Sequence, residues 1–173
     1  PFSSDFRGFL FQDSQLGVRF FGTRANNVFQ YNLAWFRRLE KDTNSGLNDV
    51  TQSIRDDDVL AANIYWQDFL KLGLTSQATV IHNRNREHGD VEYDKNGFIQ
   101  RPSSLLEERF SRDYDVTYFG YSADGHFDRL NISSSWYYAY GEQESTRLRS
   151  EEEKIRAWFT ATELSWDIDW FRP

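Results

Sequence analysis

The dominant pattern of this chain is an alternation of apolar and polar residues with a period of two. Residues 28–40 read VFQYNLAWFRRLE, residues 129–140 read RLNISSSWYYAY, and residues 155–171 read IRAWFTATELSWDIDWF. In each stretch most aromatic and aliphatic side chains share one face, whereas a helix would distribute them around its circumference. The pattern therefore predicts β-strands with two chemically different faces.

Weaker alternation predicts four further strands, at residues 16–22, 59–67, 73–83 and 115–123. The chain is thus expected to form about seven strands, with boundaries good to about two to four residues. The three strongest stretches exceed the ~5–6 residues of an average soluble strand and the ~9–11 residues that a tilted strand needs to cross a bilayer.

The connections between these strands alternate strictly between short and long. The short ones span residues 23–27, 68–72 and 122–126, and the last contains an Asp-Gly pair, which is a strong hairpin signal. The long, polar ones span residues 41–58, 84–114 and 141–154. Membrane barrels have short periplasmic turns and long extracellular loops. The alternation therefore predicts an antiparallel up-and-down transmembrane β-barrel, with the short turns on the periplasmic side and the long loops outside the cell.

Composition narrows the classes of protein that remain. The aromatic fraction is 17%, with 6 Trp, 9 Tyr and 15 Phe, which fits both strands and the aromatic girdles of membrane barrels. No run of 18 apolar residues exists, so a bundle of transmembrane helices is excluded. The chain has no Cys, which excludes disulfides and thiolate metal sites, and its net charge of -7 argues against a nucleic-acid partner.

In the predicted barrel the two faces of each strand have different surroundings. The polar face is expected to line a water-filled lumen, and its candidate residues are Arg19, Gln30, Asn32, Arg38, Asn63, Gln67, Arg129, Asn131, Glu163, Asp167 and Asp169. The aromatic face is expected to contact lipid, and its candidate residues are Phe29, Tyr31, Trp35, Trp136, Tyr138, Trp158, Trp166 and Trp170. The lumen residues carry both signs of charge, so they either select solutes or pair across adjacent strands and fill the lumen.

Seven is an odd number of strands, whereas single-chain bacterial barrels have an even number. An open sheet would also leave two edges, which a membrane does not tolerate. Either residues 1–13 supply an eighth strand, with residues 6–12 (FRGFLFQ) as its core, or further strands lie outside this stretch. We favour the second option, in which the chain is one region of a larger barrel.

Several stretches resemble a family of large, uncharacterised outer-membrane barrel proteins of Gram-negative bacteria, placed near the alginate-export-like porins. They are YNLAWFRRLEKDTNSGLND (31–49), ANIYWQDFLKLGLTSQ (62–77), YDKNGFIQRP (93–102), YFGYSADGHFDRLNIS (118–133) and TELSWDIDWFRP (162–173). The resemblance covers nearly the whole chain and its motifs are structural. It implies an outer-membrane location and a longer parent chain, and it assigns no substrate.

No arrangement of side chains in the sequence predicts catalysis. His82, His88 and His126 are not expected to converge on a metal, and no G-x-S-x-G or glycine-rich phosphate loop is present. Acidic residues at 56–58 and 90–96 offer oxygen ligands that suit Ca²⁺ but lack EF-hand spacing, so a solvated acidic loop is the favoured interpretation. We therefore expect no enzyme, no cofactor and no metal.

The favoured function is that of a porin-like channel of the bacterial outer membrane, which passes a hydrophilic solute or polymer. One alternative is a plugged structural or adhesive barrel that acts through its loops. A second is a soluble lipocalin-like barrel that encloses an apolar ligand within its aromatic face. The expected partners are outer-membrane lipid, an unidentified hydrophilic solute, and further strands of the same chain or partner proteins.

Overall fold

The computed structural model describes residues 2–5, 7–39, 54–86, 92–93, 99–101, 113–145 and 150–168. Its strands are β1 (Phe2–Ser3), β2 (Gln12–Asp13), β3 (Leu16–Arg24), β4 (Phe29–Leu39), β5 (Ile54–Phe69), β6 (Leu74–Asn85), β7 (Glu92–Tyr93), β8 (Ile99–Arg101), β9 (Tyr114–Phe127), β10 (Leu130–Gln143) and β11 (Glu153–Trp166). Within these residues no helix is long and apolar enough to span a membrane. Most of the predicted long loops lie outside the described residues.

Seven strands form one antiparallel sheet in the order β11-β10-β9-β6-β5-β4-β3. Each of the seven predicted strands overlaps one strand of this sheet, and each neighbour in the sheet is also the next long strand along the chain. The all-β antiparallel prediction is therefore confirmed. Among the described residues, the edge strands β3 and β11 each have a single neighbouring strand.

The third short turn lies elsewhere than the sequence predicted. Residues 122–126 belong to β9, and the turn is formed by Asp128 and Arg129, with Asp128 at a positive φ of 52°. The longer hairpin places Tyr121 opposite Trp136 and Phe119 opposite Tyr138. These cross-strand aromatic pairs and the extra ladder hydrogen bonds outweigh the local turn preference of the Asp-Gly pair.

The first residues of the chain do not form an eighth strand, which corrects that alternative. Strands β1 and β2 pair with each other, and this N-terminal hairpin (residues 2–5 and 7–13) lies against one face of the seven-stranded sheet. The Ser4 amide donates a hydrogen bond to the Phe11 carbonyl at 2.9 Å, which continues the pairing of the two short strands. The hairpin covers the sheet rather than extending it.

The main hydrophobic core is the layer between the N-terminal hairpin and this face. Its buried side chains come from the hairpin and from β4, β5 and β6, and they are Phe2, Ala34, Phe36, Val59, Ala61 and Ile81. Leu10, Phe11 and Tyr118 pack against them. We call the side of the sheet that carries these residues the covered face, and the opposite side the exposed face.

Gly141 allows β9 and β10 to approach closely on the covered face. A Cβ added there would lie 2.1 Å from the Asp115 carbonyl oxygen, which is backbone and cannot swing away. We expect Gly141→Ala to lower the free energy of unfolding by ~1–3 kcal/mol through overpacking. Urea unfolding in detergent micelles, followed by Trp fluorescence, measures the loss.

Gly22→Ala is the matched control for this substitution. A Cβ at Gly22 would meet the hydroxyl of Tyr31 at 2.4 Å, but that atom is the far end of a side chain that can rotate. We expect a clearly smaller loss of stability than for Gly141→Ala. Equal losses in the two variants would show that the close strand approach at Gly141 is not what restricts the residue.

Candidate functional site

The exposed face carries apolar and aromatic side chains in rows that run across all seven strands. Cross-strand pairing places one such row from β3 to β11, and its members are Phe20, Leu33, Ala62, Val80, Phe119, Tyr138 and Trp158. The next row towards the short turns consists of Gly22, Tyr31, Ile64, Ala78, Tyr121, Trp136 and Thr160. Trp158 is 76% exposed and Trp136 is 55% exposed, so these large side chains lack a protein partner layer among the described residues.

A row of charges bounds the apolar rows on the side of the long connections. In cross-strand order its members from β4 to β11 are Arg37, Asp58, Arg84, Asp115, Glu142 and Lys154. Arg86 beside this row donates a hydrogen bond to Asp115, and that bond raises the pKa of Arg86 above its ordinary value. The exposed face therefore changes from apolar to charged along the strand direction.

One polar anchor of the N-terminal hairpin on the covered face is a backbone carbonyl. The Ser4 carbonyl oxygen accepts hydrogen bonds from Asn63 Nδ2 at 2.9 Å, Gln77 Nε2 at 3.0 Å and Thr79 Oγ1 at 2.8 Å. All four residues are buried. Three side chains from β5 and β6 thus converge on one atom of the hairpin.

The Asp5 carboxylate forms the second polar anchor of the hairpin. It accepts hydrogen bonds from the amides of Phe9 at 3.1 Å and Leu10 at 3.3 Å, which close the hairpin loop on itself. It also accepts a hydrogen bond from the Tyr137 hydroxyl at 2.8 Å, which joins the loop to β10. Asp5 is only 4% exposed, and these donors compensate for the burial of its charge.

The hairpin makes aromatic contacts across the width of the sheet. The ring of Phe2 lies 5.1 Å from that of Phe36 on β4, and the guanidinium of Arg19 on β3 lies 5.5 Å from the Phe2 ring. At the other edge, the rings of Phe9 and Phe159 on β11 are 5.4 Å apart in an edge-to-face arrangement. The hairpin therefore contacts both edge strands of the described sheet.

A polar cavity of about 290 Å³ lies on the covered face beside the hairpin, near the β9–β10 turn. Its wall includes Arg7, which donates a hydrogen bond to Ser133, and Ser133 in turn donates to Asp124. Glu163 lies 4.0 Å from Arg7, and its side chain is 75% exposed. The cavity offers charges of both signs and hydroxyl groups to solvent.

The structure places the predicted lumen residues mainly on the covered face. The residues found on that face are Arg19, Gln30, Asn32, Arg38, Asn63, Asn131 and Glu163. Gln67 lies beside the register irregularity between β5 and β6, Arg129 lies in the β9–β10 turn, and Asp167 follows the end of β11. Asp169 lies outside the described residues. The pairing of Arg38 with Asp57 at 2.9 Å is one of the cross-strand ion pairs that would fill a lumen.

The predicted lipid-facing residues share the opposite face. Cross-strand pairing places on the exposed face Phe29, Tyr31, Trp35, Trp136, Tyr138, Trp158 and Trp166. Trp170 lies outside the described residues. The assignment of the two faces to lumen and lipid stays a prediction.

The docked hairpin and the apolar part of the face that holds it were not predicted from the sequence. The middle of the covered face carries small side chains, including Ala34, Ala61, Gly120 and Ala139, where a polar, water-filled lumen was expected. The available signal was the combination of these small residues with the aromatic residues at 2, 9 and 11 of the first segment. Small residues on a sheet face leave room for a second layer.

The histidines and acidic clusters show no metal-binding arrangement where they can be seen. His82 Nδ1 is 3.0 Å from the Thr117 hydroxyl, His126 pairs with Asn131, and no group of three or more His, Cys, Asp or Glu in the described part of the chain is placed to hold a metal. His88, Asp90, Asp94 and Asn96 lie outside the described residues.

Comparison of the chain with protein-family models, curated proteins and solved structures found no match.

Proposed function

We propose that this chain forms part of the wall of a bacterial outer-membrane β-barrel that passes a hydrophilic solute. The observation that carries the proposal is the exposed face, whose aromatic and aliphatic rows continue across all seven strands. Monomeric proteins in water rarely expose continuous apolar patches beyond a few hundred Å². A hydrocarbon environment would satisfy such a face, because the outer surface of a membrane barrel is an apolar band.

The dimensions of the apolar rows support an orientation in which the exposed face contacts the hydrocarbon of the membrane. On β9 the exposed face is uncharged from Phe119 to Phe127, and the charged row lies beyond Phe119. At ~3.4 Å per residue and a tilt of ~40°, that stretch rises ~20 Å along a barrel axis, close to the ~25 Å band of outer-membrane barrels. The charged row would then lie at the outer lipid boundary, on the side of the long connections.

The covered face supports a hydrophilic lumen. Beyond the apolar patch under the hairpin it carries Arg19, Asn32, Asp124, Asn131 and Glu163. Water and polar solutes would solvate these groups, whereas lipid would not.

Further antiparallel strands complete the proposed barrel. An antiparallel sheet of seven strands leaves β3 and β11 running in the same direction, so direct pairing between them would be parallel. Hydrocarbon does not tolerate exposed strand edges. We therefore include strands of the same chain or of a partner protein as neighbours of β3 and β11.

A plugged barrel is the second candidate function, and the N-terminal hairpin favours it. Residues 2–5 and 7–13 lie on the face assigned to the lumen and contact both edge strands. If the hairpin stays in the lumen, no solute passes, and the protein would act through its connecting loops. The lipocalin-like alternative has less support, because it needs the aromatic face to enclose a ligand and the hairpin covers the opposite face.

Quenching of Trp fluorescence by brominated lipid tests the membrane orientation. In a variant whose other Trp residues are replaced by Phe, Trp136 in vesicles of lipid brominated at mid-chain should be strongly quenched, because it points into the hydrocarbon. The matched control is a Trp-free background with Phe159→Trp, since Phe159 pairs with Tyr137 at nearly the same depth but on the covered face.

The control should respond to acrylamide from the aqueous phase and only weakly to brominated lipid. If the lipid leaves Trp136 unquenched while acrylamide quenches it, the exposed face contacts water. That result would remove the membrane proposal and direct attention to a soluble sheet.

A further inference from the structure

We propose that the N-terminal hairpin is a gate, which docks on the covered face as one body and leaves it as one body to open the lumen. The proposal rests on the proposed channel function and adds a closed and an open state to it. Its basis is that the hairpin keeps its shape through hydrogen bonds of its own, which do not depend on its contacts with the sheet.

The hairpin keeps its shape through contacts of its own. Asp5 accepts hydrogen bonds from the amides of Phe9 and Leu10, and the Asp5 carbonyl accepts one from Gly8 at 3.2 Å. The Phe11 amide donates to the Ser4 hydroxyl at 3.1 Å. None of these bonds involves the sheet, so undocking does not require the hairpin to unfold.

Water can replace the polar contacts between hairpin and sheet. The Ser4 carbonyl would exchange its three side-chain donors for water, and Asn63 would keep its 2.7 Å hydrogen bond from Asn32 on the neighbouring strand. Because each exchange of a protein partner for water costs only ~0.5–1.5 kcal/mol, these bonds determine the docked position but allow the hairpin to leave it.

Apolar contacts determine how firmly the gate closes. Phe2 is 7% exposed and packs on Phe36, while Phe11 lies 5.6 Å from the same ring. Undocking would expose these rings and the small apolar residues beneath them to the aqueous lumen. The closed state is therefore the resting state, and a change that weakens the Phe2 contact should open the gate.

The position of the hairpin makes it able to obstruct flow. It contacts β3 through Phe2 and β11 through Phe9, so it extends over the whole width of the described wall. Ser14 and Gln15 connect it to β3, and both donate hydrogen bonds to the Asp13 carboxylate. This short connection would act as the pivot.

A cleavable cross-link tests the gate in the full protein. The sequence contains no Cys, so Phe9→Cys with Phe159→Cys gives one reactive pair that joins the hairpin loop to β11. After reaction with a short bis-maleimide that contains a disulfide, the openings of the resting channel in a planar bilayer should disappear, and reductant should restore their frequency to that of the untreated variant. Phe159→Cys alone, treated in the same way, should show no change.

A second variant tests the gate without a cross-link. Phe2→Ala should raise the fraction of time spent in the conducting state at least about tenfold, since truncation of a buried Phe removes contacts worth more than that factor. Phe20→Ala on the exposed face is the control, and it should leave the conducting fraction unchanged because Phe20 is 65% exposed.

The outcomes separate the gate from the channel. Equal, open conductance before and after cleavage, with no effect of Phe2→Ala, overturns the gate and leaves the channel standing. Absence of current in every state and variant, from protein that brominated lipid shows to be inserted, overturns the channel and the gate with it, and favours the permanently plugged barrel.

Discussion

Ala78→Arg is expected to lower the free energy of unfolding in lipid vesicles by ~2–4 kcal/mol, because this is what an Arg costs at the bilayer midplane on the lipid face of a barrel. Ala78 is exposed and lies in the row of Tyr31, Ile64 and Trp136, in the middle of the apolar rows. In the proposed membrane orientation, the guanidinium of the introduced Arg would have to remain in hydrocarbon or extend far towards a headgroup. Reversible urea unfolding in vesicles measures the effect.

Ala157→Arg is the matched control, because it is the same substitution at an exposed position on the covered face. Ala157 pairs with Ala139 on β10 and borders an open groove whose lining includes Leu10 of the hairpin. In the proposed lumen the new charge stays in water, and we expect a change within ~0.5 kcal/mol, as for ordinary surface substitutions.

The comparison also discriminates against a soluble sheet. On a soluble protein both positions are exposed strand sites, and both substitutions would change the free energy of unfolding by less than ~0.5 kcal/mol. A small effect at Ala78 would therefore contradict the membrane orientation, whatever Ala157→Arg does.

Ala61→Trp is expected to expel the N-terminal hairpin from the covered face while the sheet stays intact. Ala61 is 1% exposed, faces Ala34 and Ile81 across the sheet, and belongs to the core beneath Phe2. Overpacking of ~1–3 kcal/mol converts to a ~5–150-fold increase in the undocked fraction. The hairpin is the only part of this core that can leave without breaking strand pairing.

Limited trypsin digestion measures the undocked fraction, because Arg7 lies within the hairpin. Its side chain is 27% exposed and hydrogen-bonded to Ser133 when docked. Cleavage after Arg7, followed by mass spectrometry, should accelerate in proportion to the undocked fraction in Ala61→Trp. Ala62→Trp is the control, since Ala62 is the next residue along β5 but belongs to the exposed face.

Equal cleavage rates in the two Trp variants would contradict the arrangement of the core. Faster cleavage in Ala62→Trp than in Ala61→Trp would mean that the hairpin contacts the opposite face. Loss of all sheet structure in Ala61→Trp alone would show that the hairpin and the sheet fold as one inseparable unit, which also argues against the gate.

The sequence by itself determined the strands and the face on which each side chain lies. The period-two pattern places Trp136, Tyr138 and Trp158 together, and the structure puts all three on the exposed face. A local pattern suffices for this because successive strand residues point to opposite faces, so parity along the chain determines the face whatever the partner strand.

The tertiary structure alone decided the register of the β9–β10 hairpin and what covers the sheet. The turn at Asp128 depends on cross-strand aromatic pairing, which no local turn propensity contains. The convergence of Asn63, Gln77 and Thr79 on the Ser4 carbonyl joins residues 59 to 75 positions apart. Such contacts form only once the strands are in register and a second layer packs on them, and a one-dimensional pattern does not encode that layer.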